Sequence, residues 1–252
     1  MSAAGPPQGA NAPLGGSAAA RAAKRHQAHG RLALFDLDGT LLDGDTDELW
    51  CEFLMAEGVL ERASFEASNR SVAERYAAGE IAPAEFCAFY AATFAGRSAS
   101  QWAPLRTRFV ATVIVARLGG AARALVARHR DAGDRVVLTT ATNRFLTEPI
   151  AALLGIVDAD LIATELEEGG AGFTGRNAGV LNMREGKVQR LVAWLQARGI
   201  AEAALSDASF YSDSMNDLPL LRAVGRAIVV DPDERLRQEA LRMDWPILSL
   251  AR

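Results

Sequence analysis

Two aspartates with one residue between them follow an apolar run near the start of the chain. Asp36 and Asp38 lie in FDLDGTLL, directly after the apolar residues 32–35. Two carboxylates this close disfavour each other's charged form unless a cation lies among them. One can attack phosphorus to form an aspartyl-phosphate, while the other protonates the departing alcohol and then activates water. The pair therefore predicts phosphoryl transfer, with Asp36 as the nucleophile and Asp38 as the general acid and base.

Later segments carry the other groups that this chemistry needs. Thr139 and Thr140 end an apolar run, and Lys187 lies at the start of a helical pattern in REGKVQRLVAWL. A threonine hydroxyl can donate a hydrogen bond to a phosphoryl oxygen, and an ammonium group can neutralise the phosphate. We predict these two catalytic roles for Thr140 and Lys187.

A hard divalent cation would cancel the repulsion between a phosphate and several carboxylates. Asp213 and Asp217, in YSDSMNDLPLL, follow another apolar run. We predict that Asp36, Asp213 and the backbone carbonyl of Asp38 hold Mg²⁺, and that Asp217 positions a water molecule bound to it.

Five apolar runs alternate with helical patterns and predict the strands that position these residues. The runs cover residues 32–35, 135–139, 160–163, 209–212 and 227–230. Alternating strands and helices indicate an α/β fold with a parallel sheet covered by helices on both faces. Ligands bind beyond the carboxyl ends of the strands in such a sheet, which is where the polar residues lie.

About a hundred residues without a strand pattern separate the first two runs, which is too long for a simple crossover. Helical patterns fill this interval, at residues 47–58, at 81–94 with Pro83 at the first helical position, at 102–117 and at 120–130. We therefore predict a small helical domain at residues 44–117, a catalytic core at 31–43 and 118–252, and a disordered tail at 1–30.

Four segments of the chain resemble, in order, the four motifs of the haloacid dehalogenase superfamily of phosphohydrolases. They are FDLDGTLL, the threonine in VVLTTATN, the lysine in EGKVQRL, and YSDSMNDLPLL. The helical insertion is similar to the C1 cap of the phosphoserine-phosphatase-like branch, in a subgroup often assigned as phosphoserine or histidinol-phosphate phosphatases. The resemblance implies the roles given above, a Rossmann-like sheet with the first strand central, and a cap that closes over the site.

The acidic residue Asp45 bears on the substrate. It lies nine residues beyond Asp36, where the phosphoserine phosphatases that this chain resembles place a glutamate that holds the substrate ammonium group. Those enzymes clamp the substrate carboxylate with a cap arginine, for which Arg70 and Arg75 are the nearest candidates here. We predict Asp45 and Asn143 as substrate-binding residues, and histidinol phosphate as the substrate ahead of L-phosphoserine.

The composition limits the other function classes. The 252 residues are 50% hydrophobic and 23% charged, with a formal charge of −4 and no basic stripe with interleaved aromatic residues, which argues against nucleic acid. No apolar run is long enough to span a bilayer, so we expect a cytoplasmic protein with a small phosphorylated metabolite as its partner and no membrane association. A phosphotransferase or mutase and an Asp-phosphorylated signalling module remain alternatives, and the oligomeric state is open.

Overall fold

The computed structural model of the protein describes residue 1, residues 30–77 and residues 80–250. The predicted tail at residues 1–30 lies outside the described residues, apart from its two end positions. Within the described ranges, the chain forms one seven-stranded sheet with helices packed against it.

The sheet has the spatial order β4-β3-β2-β1-β5-β6-β7. Neighbouring strands are parallel, except that β4 runs antiparallel to β3. The predicted α/β fold with a Rossmann-like parallel sheet is confirmed. The strands are β1 (Leu32–Phe35), β2 (Arg135–Asn143), β3 (Leu161–Gly169), β4 (Gly172–Ala178), β5 (Ser209–Ser212), β6 (Arg226–Val230) and β7 (Ile247–Leu248).

Five of these strands correspond to the predicted apolar runs, and two were not predicted. β2 and β3 continue beyond their apolar residues into polar ones, which an argument from apolar runs does not include. β4 is an edge strand of mostly small and polar residues with one buried apolar residue, Phe173, and β7 has two residues. Neither has the continuous apolar run of a strand that is buried on both faces.

Helices connect the strands. They are α1 (Thr46–Ala56), α2 (Arg62–Ala77), α3 (Pro83–Ala91), α4 (Ala99–Phe109), α5 (Gly120–Asp131), α6 (Arg144–Leu153), α7 (Glu185–Ala197), α8 (Leu218–Ala223) and α9 (Glu234–Arg242). A π-helical turn, Val110–Ile114, and a short helical segment, Val115–Arg117, continue α4 towards α5.

Alternate residues of the central strand β1 belong to two separate hydrophobic clusters. Leu34 packs with Leu191 of α7 and Leu220 of α8 in one cluster. Phe35 belongs to the other cluster, which includes Ile150 of α6 and residues of the helices between β1 and β2, which we call the cap. Because successive side chains of a strand point to opposite faces of the sheet, β1 packs against a layer of helices on each face.

The predicted helical insertion between β1 and β2 is present as α1 to α4. Its interior is aromatic: the ring of Trp50 lies 5.1 Å from that of Phe109 and 5.8 Å from that of Phe94. Phe94 also contacts Phe145 of α6, with ring centroids 5.9 Å apart, so the cap core is continuous with one side of the sheet core.

Local signals set where the cap helices begin. Pro83 occupies the start of α3, as predicted, because its missing N–H is not needed there. Ser98 and Gln101 form a capping box at the start of α4, three residues before the predicted start. Helix α2 was not predicted, because its sequence is largely polar and carries no continuous apolar stripe.

No single helix in the described part of the chain is long and apolar enough to cross a membrane. One pair of helical segments, Ala99–Arg117 and Gly120–Asp131, meets the length and composition requirement together, but it is bent by 90° between the two.

Candidate active site

The carboxyl ends of three neighbouring strands meet at one edge of the sheet. β1 lies between β2 and β5, and its last residue, Phe35, is level with Leu138 on β2 and with Tyr211 on β5. The strand order reverses at β1, which is the position where an open α/β sheet forms a crevice. Asp36 and Asp213 are therefore brought to the same crevice from segments far apart in the sequence.

Lys187 forms two buried ion pairs beneath this crevice. Its Nζ lies 3.0 Å from Oδ1 of Asp36 and 2.6 Å from Oδ1 of Asp217. Burial disfavours the ammonium group, but the carboxylates of Asp217 and Asp36 outweigh this effect and raise the pKa of Lys187. Burial raises the pKa of Asp36 well above its usual range, although Lys187 opposes that shift. The lysine thus remains charged and orients the predicted nucleophile.

Asp38 is held by several donors. Its Oδ1 accepts hydrogen bonds from the Thr46 backbone N–H, at 2.8 Å, and from the Thr46 hydroxyl. Its Oδ2 accepts from the Thr142 hydroxyl at 2.7 Å. Burial raises the pKa of Asp38 to about 6. A carboxyl with a pKa this near neutrality can both donate and accept a proton, as a general acid and base must.

Thr140 and Thr142 differ in their access to the crevice. Thr140 is fully buried, its Oγ1 accepts from the Thr142 N–H at 3.2 Å, and it lies 3.4 Å from Oδ2 of Asp38. Ala141 and Thr142 line the cavity instead. A register shift in β2 after Thr140 changes the direction of this segment. Sequence reasoning did not predict Thr142, because spacing along a strand does not reveal this register shift.

Gly39 and Thr40 position Asp213. Gly39 has a φ of +68°, and a Cβ atom there would lie 2.0 Å from Oδ2 of Asp213, so this position requires glycine. The Thr40 hydroxyl donates to Oδ1 of Asp213 at 2.8 Å and accepts from the Asp213 N–H at 3.0 Å. Burial raises the pKa of Asp213 to about 6.

The donor set at the crevice fits a hard cation. Among the described residues, no group of three or more Asp, Glu, His or Cys side chains forms a metal cluster. Asp217, one of the predicted metal residues, is already bound to Lys187 and accepts from the Ser212 hydroxyl at 2.7 Å. Lys187 contacts both oxygens of Asp217 but only Oδ1 of Asp36, so Oδ2 of Asp36, the Asp213 carboxylate and the backbone carbonyl of Asp38 are left to hold a cation. Mg²⁺ binds in this way, since it keeps several waters and takes phosphate oxygens as ligands.

A cavity of about 320 Å³ lies between the sheet edge and the cap. Carboxylates and the buried lysine line its sheet side, whereas aromatic and acidic residues from α1, α2 and α3 line its cap side. The cap contributes Asp45, Asp47, Tyr76, Phe86, Cys87 and Tyr90. The predicted nucleophile therefore faces a partly open cavity of the size that holds a small metabolite.

The two predicted substrate-binding residues lie in different surroundings. Asp45 lines the cavity and also caps α1, accepting from the Glu48 N–H at 3.0 Å. Asn143 is not among the lining residues; it caps α6 and donates from Nδ2 to Asp47 at 3.3 Å. Asp47, which lines the cavity, was not predicted as a site residue. Displacement of water by protein, together with the nearby Asp45, raises the pKa of Asp47.

The cap arginines suggested as a carboxylate clamp do not reach the cavity. Arg70 and Arg75 are exposed on α2, and Arg75 forms an ion pair with Glu85 at 3.1 Å. Among the lining residues that the structure describes, Lys187 is the only Lys, Arg or His. Arg184 lies close by, where it donates to the Tyr76 hydroxyl and to the Asn216 side chain, each at 3.1 Å.

A family model agrees with this geometry: the model for haloacid dehalogenase-like hydrolases matches residues 33–222. The chain belongs to this family. The hydrolase is 37% identical to a histidinol-phosphatase of Neisseria meningitidis serogroup C (strain 8013), in an alignment that covers 86% of this chain and 98% of that protein. It is 31% identical to the phosphoserine phosphatase SerB1 of Mycobacterium tuberculosis (strain ATCC 25618 / H37Rv), over 85% of this chain and 69% of that protein.

Solved structures share the fold of this hydrolase. A protein of unknown function from Bordetella pertussis Tohama I has a TM-score of 0.82 and 40% identity, covering 88% of this chain and 99% of that one. A phospho-aspartyl intermediate analogue of phosphoserine phosphatase has a TM-score of 0.63 at 18% identity, covering 88% and 94%. The predicted enzyme class, a phosphatase of this superfamily, is confirmed.

Proposed function

We propose that the protein is a Mg²⁺-dependent phosphatase that converts histidinol phosphate to histidinol through a phosphorylated Asp36. The observation that carries the proposal is the arrangement of one cavity. Asp36, Asp38 and Lys187 lie at its sheet side, and the acidic residues Asp45 and Asp47 lie at its cap side. The similarity to the histidinol-phosphatase of Neisseria meningitidis, over 98% of that protein, supports the choice of substrate.

In the first step, a carboxylate oxygen of Asp36 forms a bond to phosphorus while the bond from phosphorus to the substrate's alcohol oxygen breaks. Asp38 gives its proton to that oxygen, and histidinol leaves. Lys187 neutralises charge on Asp36 and the phosphoryl group. Thr142 lines the cavity, and its hydroxyl, which donates to Oδ2 of Asp38 in this structure, would turn to a phosphoryl oxygen when Asp38 carries its proton.

In the second step, water attacks the phosphorus of phospho-Asp36. Asp38, now ionised, takes the proton of that water, and the bond between phosphorus and the Asp36 oxygen breaks. Orthophosphate leaves, and both carboxyl groups return to their starting state. When bound to Asp36, Asp213 and the carbonyl of Asp38, Mg²⁺ would neutralise charge and polarise the phosphoryl group. Asp217 holds Lys187 in place through their ion pair. Asn143 positions Asp47, which lines the cavity, by donating a hydrogen bond to it.

The charges along the cavity favour an amine-bearing substrate. Asp45 and Asp47 can pair with an ammonium or imidazolium group, while Lys187 is committed to two carboxylates. A substrate carboxylate would lie near these two acidic side chains, and Lys187, the one basic residue among the described lining residues, is already paired. We propose that residues 44–117 act as the cap that selects the leaving group, and that residues 31–43 and 118–252 act as the catalytic core.

The test is phosphate release, with Mg²⁺, from histidinol phosphate, L-phosphoserine, sugar phosphates and nucleoside monophosphates. The controls are EDTA and the Asp36→Asn protein, which should each abolish turnover. We expect the highest kcat/KM for histidinol phosphate. A preference for phosphoserine would overturn the substrate assignment and identify Arg184 as the group to mutate for a carboxylate clamp. Absence of metal-dependent turnover of every substrate would overturn the phosphatase mechanism.

One further control separates hydrolysis from transfer. A phosphotransferase uses the same phospho-enzyme but passes the phosphoryl group to an alcohol. We expect added acceptor alcohols to leave the rate of substrate consumption unchanged and to yield no new phosphomonoester.

A further inference from the structure

The cap side of the cavity carries three aromatic rings, Tyr76, Phe86 and Tyr90, which we call the aromatic wall. Tyr76 ends α2, whereas the other two lie one helical turn apart on α3. The rings of Tyr76 and Phe86 are stacked, with centroids 4.4 Å apart and planes at 25°. Phe86 and Tyr90 meet edge to face, at 5.3 Å and 70°.

The polar ends of the aromatic wall are bound to protein. The Tyr76 hydroxyl donates to Oδ1 of Asn216 at 3.2 Å and accepts from the Arg184 guanidinium. The Tyr90 hydroxyl donates to Oδ1 of Asn69 at 2.9 Å. Because these hydroxyls have partners, the wall presents ring carbon rather than hydroxyl groups to a bound molecule. Tyr76 and Phe86 are only half-buried, and both line the cavity.

The aromatic wall shares the cavity with Asp45 and Asp47. Ring faces attract a second planar group, and they attract a cation as well. A carboxylate beside a ring face therefore suits a leaving group that has both a planar ring and a positive charge.

We infer that the aromatic wall is the subsite for the planar side chain of the leaving group, with Phe86 and Tyr76 determining specificity for a ring-bearing amino alcohol phosphate over a ringless one. The inference rests on the proposed function and deepens it. It assigns recognition of the ammonium group to the acidic residues and recognition of the ring to the aromatic wall. These are specificity residues, since the bonds that form and break lie at Asp36.

The chain offers a matched pair of substitutions. Phe89 lies on α3, as Phe86 does, and it stacks on Phe65 of α2 at 5.1 Å and 29°. Phe65 and Phe89 are not among the lining residues of the cavity. Phe86→Leu and Phe89→Leu therefore each remove one ring from a stacked pair that joins the same two helices, and only the first changes the cavity.

The experiment measures kcat/KM for histidinol phosphate and for O-phosphoethanolamine, which has the amine but no ring. In the wild-type protein we expect histidinol phosphate to be the better substrate. In Phe86→Leu we expect the ratio of the two kcat/KM values to fall about tenfold, which corresponds to the free energy of one contact between aromatic rings. Phe89→Leu should keep the wild-type ratio, and Tyr76→Phe, which retains the ring, should keep most of it.

Each result has a distinct meaning. An unchanged ratio in Phe86→Leu would overturn the inference while leaving the proposed function intact. If both kcat/KM values fall by the same factor, the ring serves closure of the cap; if neither falls, the ring does not contact the substrate. A wild-type protein that does not prefer histidinol phosphate would overturn the proposed function. Turnover of O-phosphoethanolamine also reports whether each variant is folded. Tyr76→Leu, expected to lower the same ratio, gives a second test if Phe86→Leu is unstable.

Discussion

The sheet side and the cap side of the cavity are built in different ways. On the sheet side, Lys187 is 2% exposed and contacts two carboxylates, and Asp38 accepts hydrogen bonds from two threonines. On the cap side, Tyr76 and Phe86 are half-buried, and the contact between them is ring stacking. Fixed charges suit a reaction whose transition state is the same for every phosphomonoester. Packed rings suit discrimination among leaving groups.

The two sides are joined through the functional residues themselves. Thr46, at the start of α1, binds Asp38, and Asn143, at the end of β2, binds Asp47. Tyr76 binds Asn216 in the segment between Asp213 and Asp217. The cap therefore contacts Asp38, the proposed general acid, directly, and the predictions below separate the two sides.

The largest effect should come from Lys187→Met. Removal of one partner from a buried ion pair leaves uncompensated charge, which costs about 3–5 kcal/mol. We expect the free energy of unfolding in urea to fall by that amount. We also expect kcat to fall about 10³-fold, because the phosphoryl group loses its cation. Addition of Asp217→Asn should restore part of the stability and none of the activity. If the free energy of unfolding of Lys187→Met lies within about 1 kcal/mol of the wild-type value, the role of these ion pairs is contradicted.

A smaller effect should follow from Gly39→Ala, for which Gly58→Ala is the matched control. The φ angles are +68° and +70°, but a Cβ atom at Gly58 meets no atom within 4 Å, whereas one at Gly39 meets Asp213. Both variants should lose about 1–2 kcal/mol from the left-handed backbone. Only Gly39→Ala should also lose activity, by about 10²-fold, because Asp213 must move. Equal kcat values for Gly39→Ala and Gly58→Ala would show that activity does not depend on the position of the Asp213 side chain.

The smallest effect should come from Asp45→Asn on the cap side. Asparagine can still accept the hydrogen bond from the Glu48 N–H, so α1 keeps its cap. We expect kcat/KM for histidinol phosphate to fall about tenfold or more, because one charge-assisted contact is lost. For a phosphomonoester whose leaving group is uncharged, we expect kcat/KM to stay unchanged. Equal losses for both substrates would refute the assignment of Asp45 to the cationic group.

The sheet side could be predicted from the sequence because its residues follow from local pattern and chain order. A buried strand must precede Asp36, and the carboxyl ends of parallel strands meet, so Asp213 had to lie nearby. The exact donor at β2 could not be predicted, since the register shift after Thr140 depends on pairing with β3 and brings Thr142 to the cavity. The part that Asp217 plays in fixing Lys187 likewise depends on their distance in the fold.

The cap side could be predicted only as a helical insertion. Helix α2 is largely polar, so the pattern gave no sign of the element that carries Tyr76. The aromatic wall depends on how α2 packs against α3, because Tyr76 and Phe86 come from different helices. Phe86 and Phe89 have similar helical surroundings in the sequence, and only the packing shows that Phe86 lines the cavity.

The most direct measurement is the mass of the peptide that contains Asp36, from protein quenched in acid during steady-state turnover with Mg²⁺. We expect a phosphoryl group on Asp36 when the substrate is histidinol phosphate, and much less when the same concentration of L-phosphoserine is used. A phosphoryl group on another residue, or none during active turnover of histidinol phosphate, would contradict the role of Asp36. Equal labelling by both substrates would contradict selection by the cap.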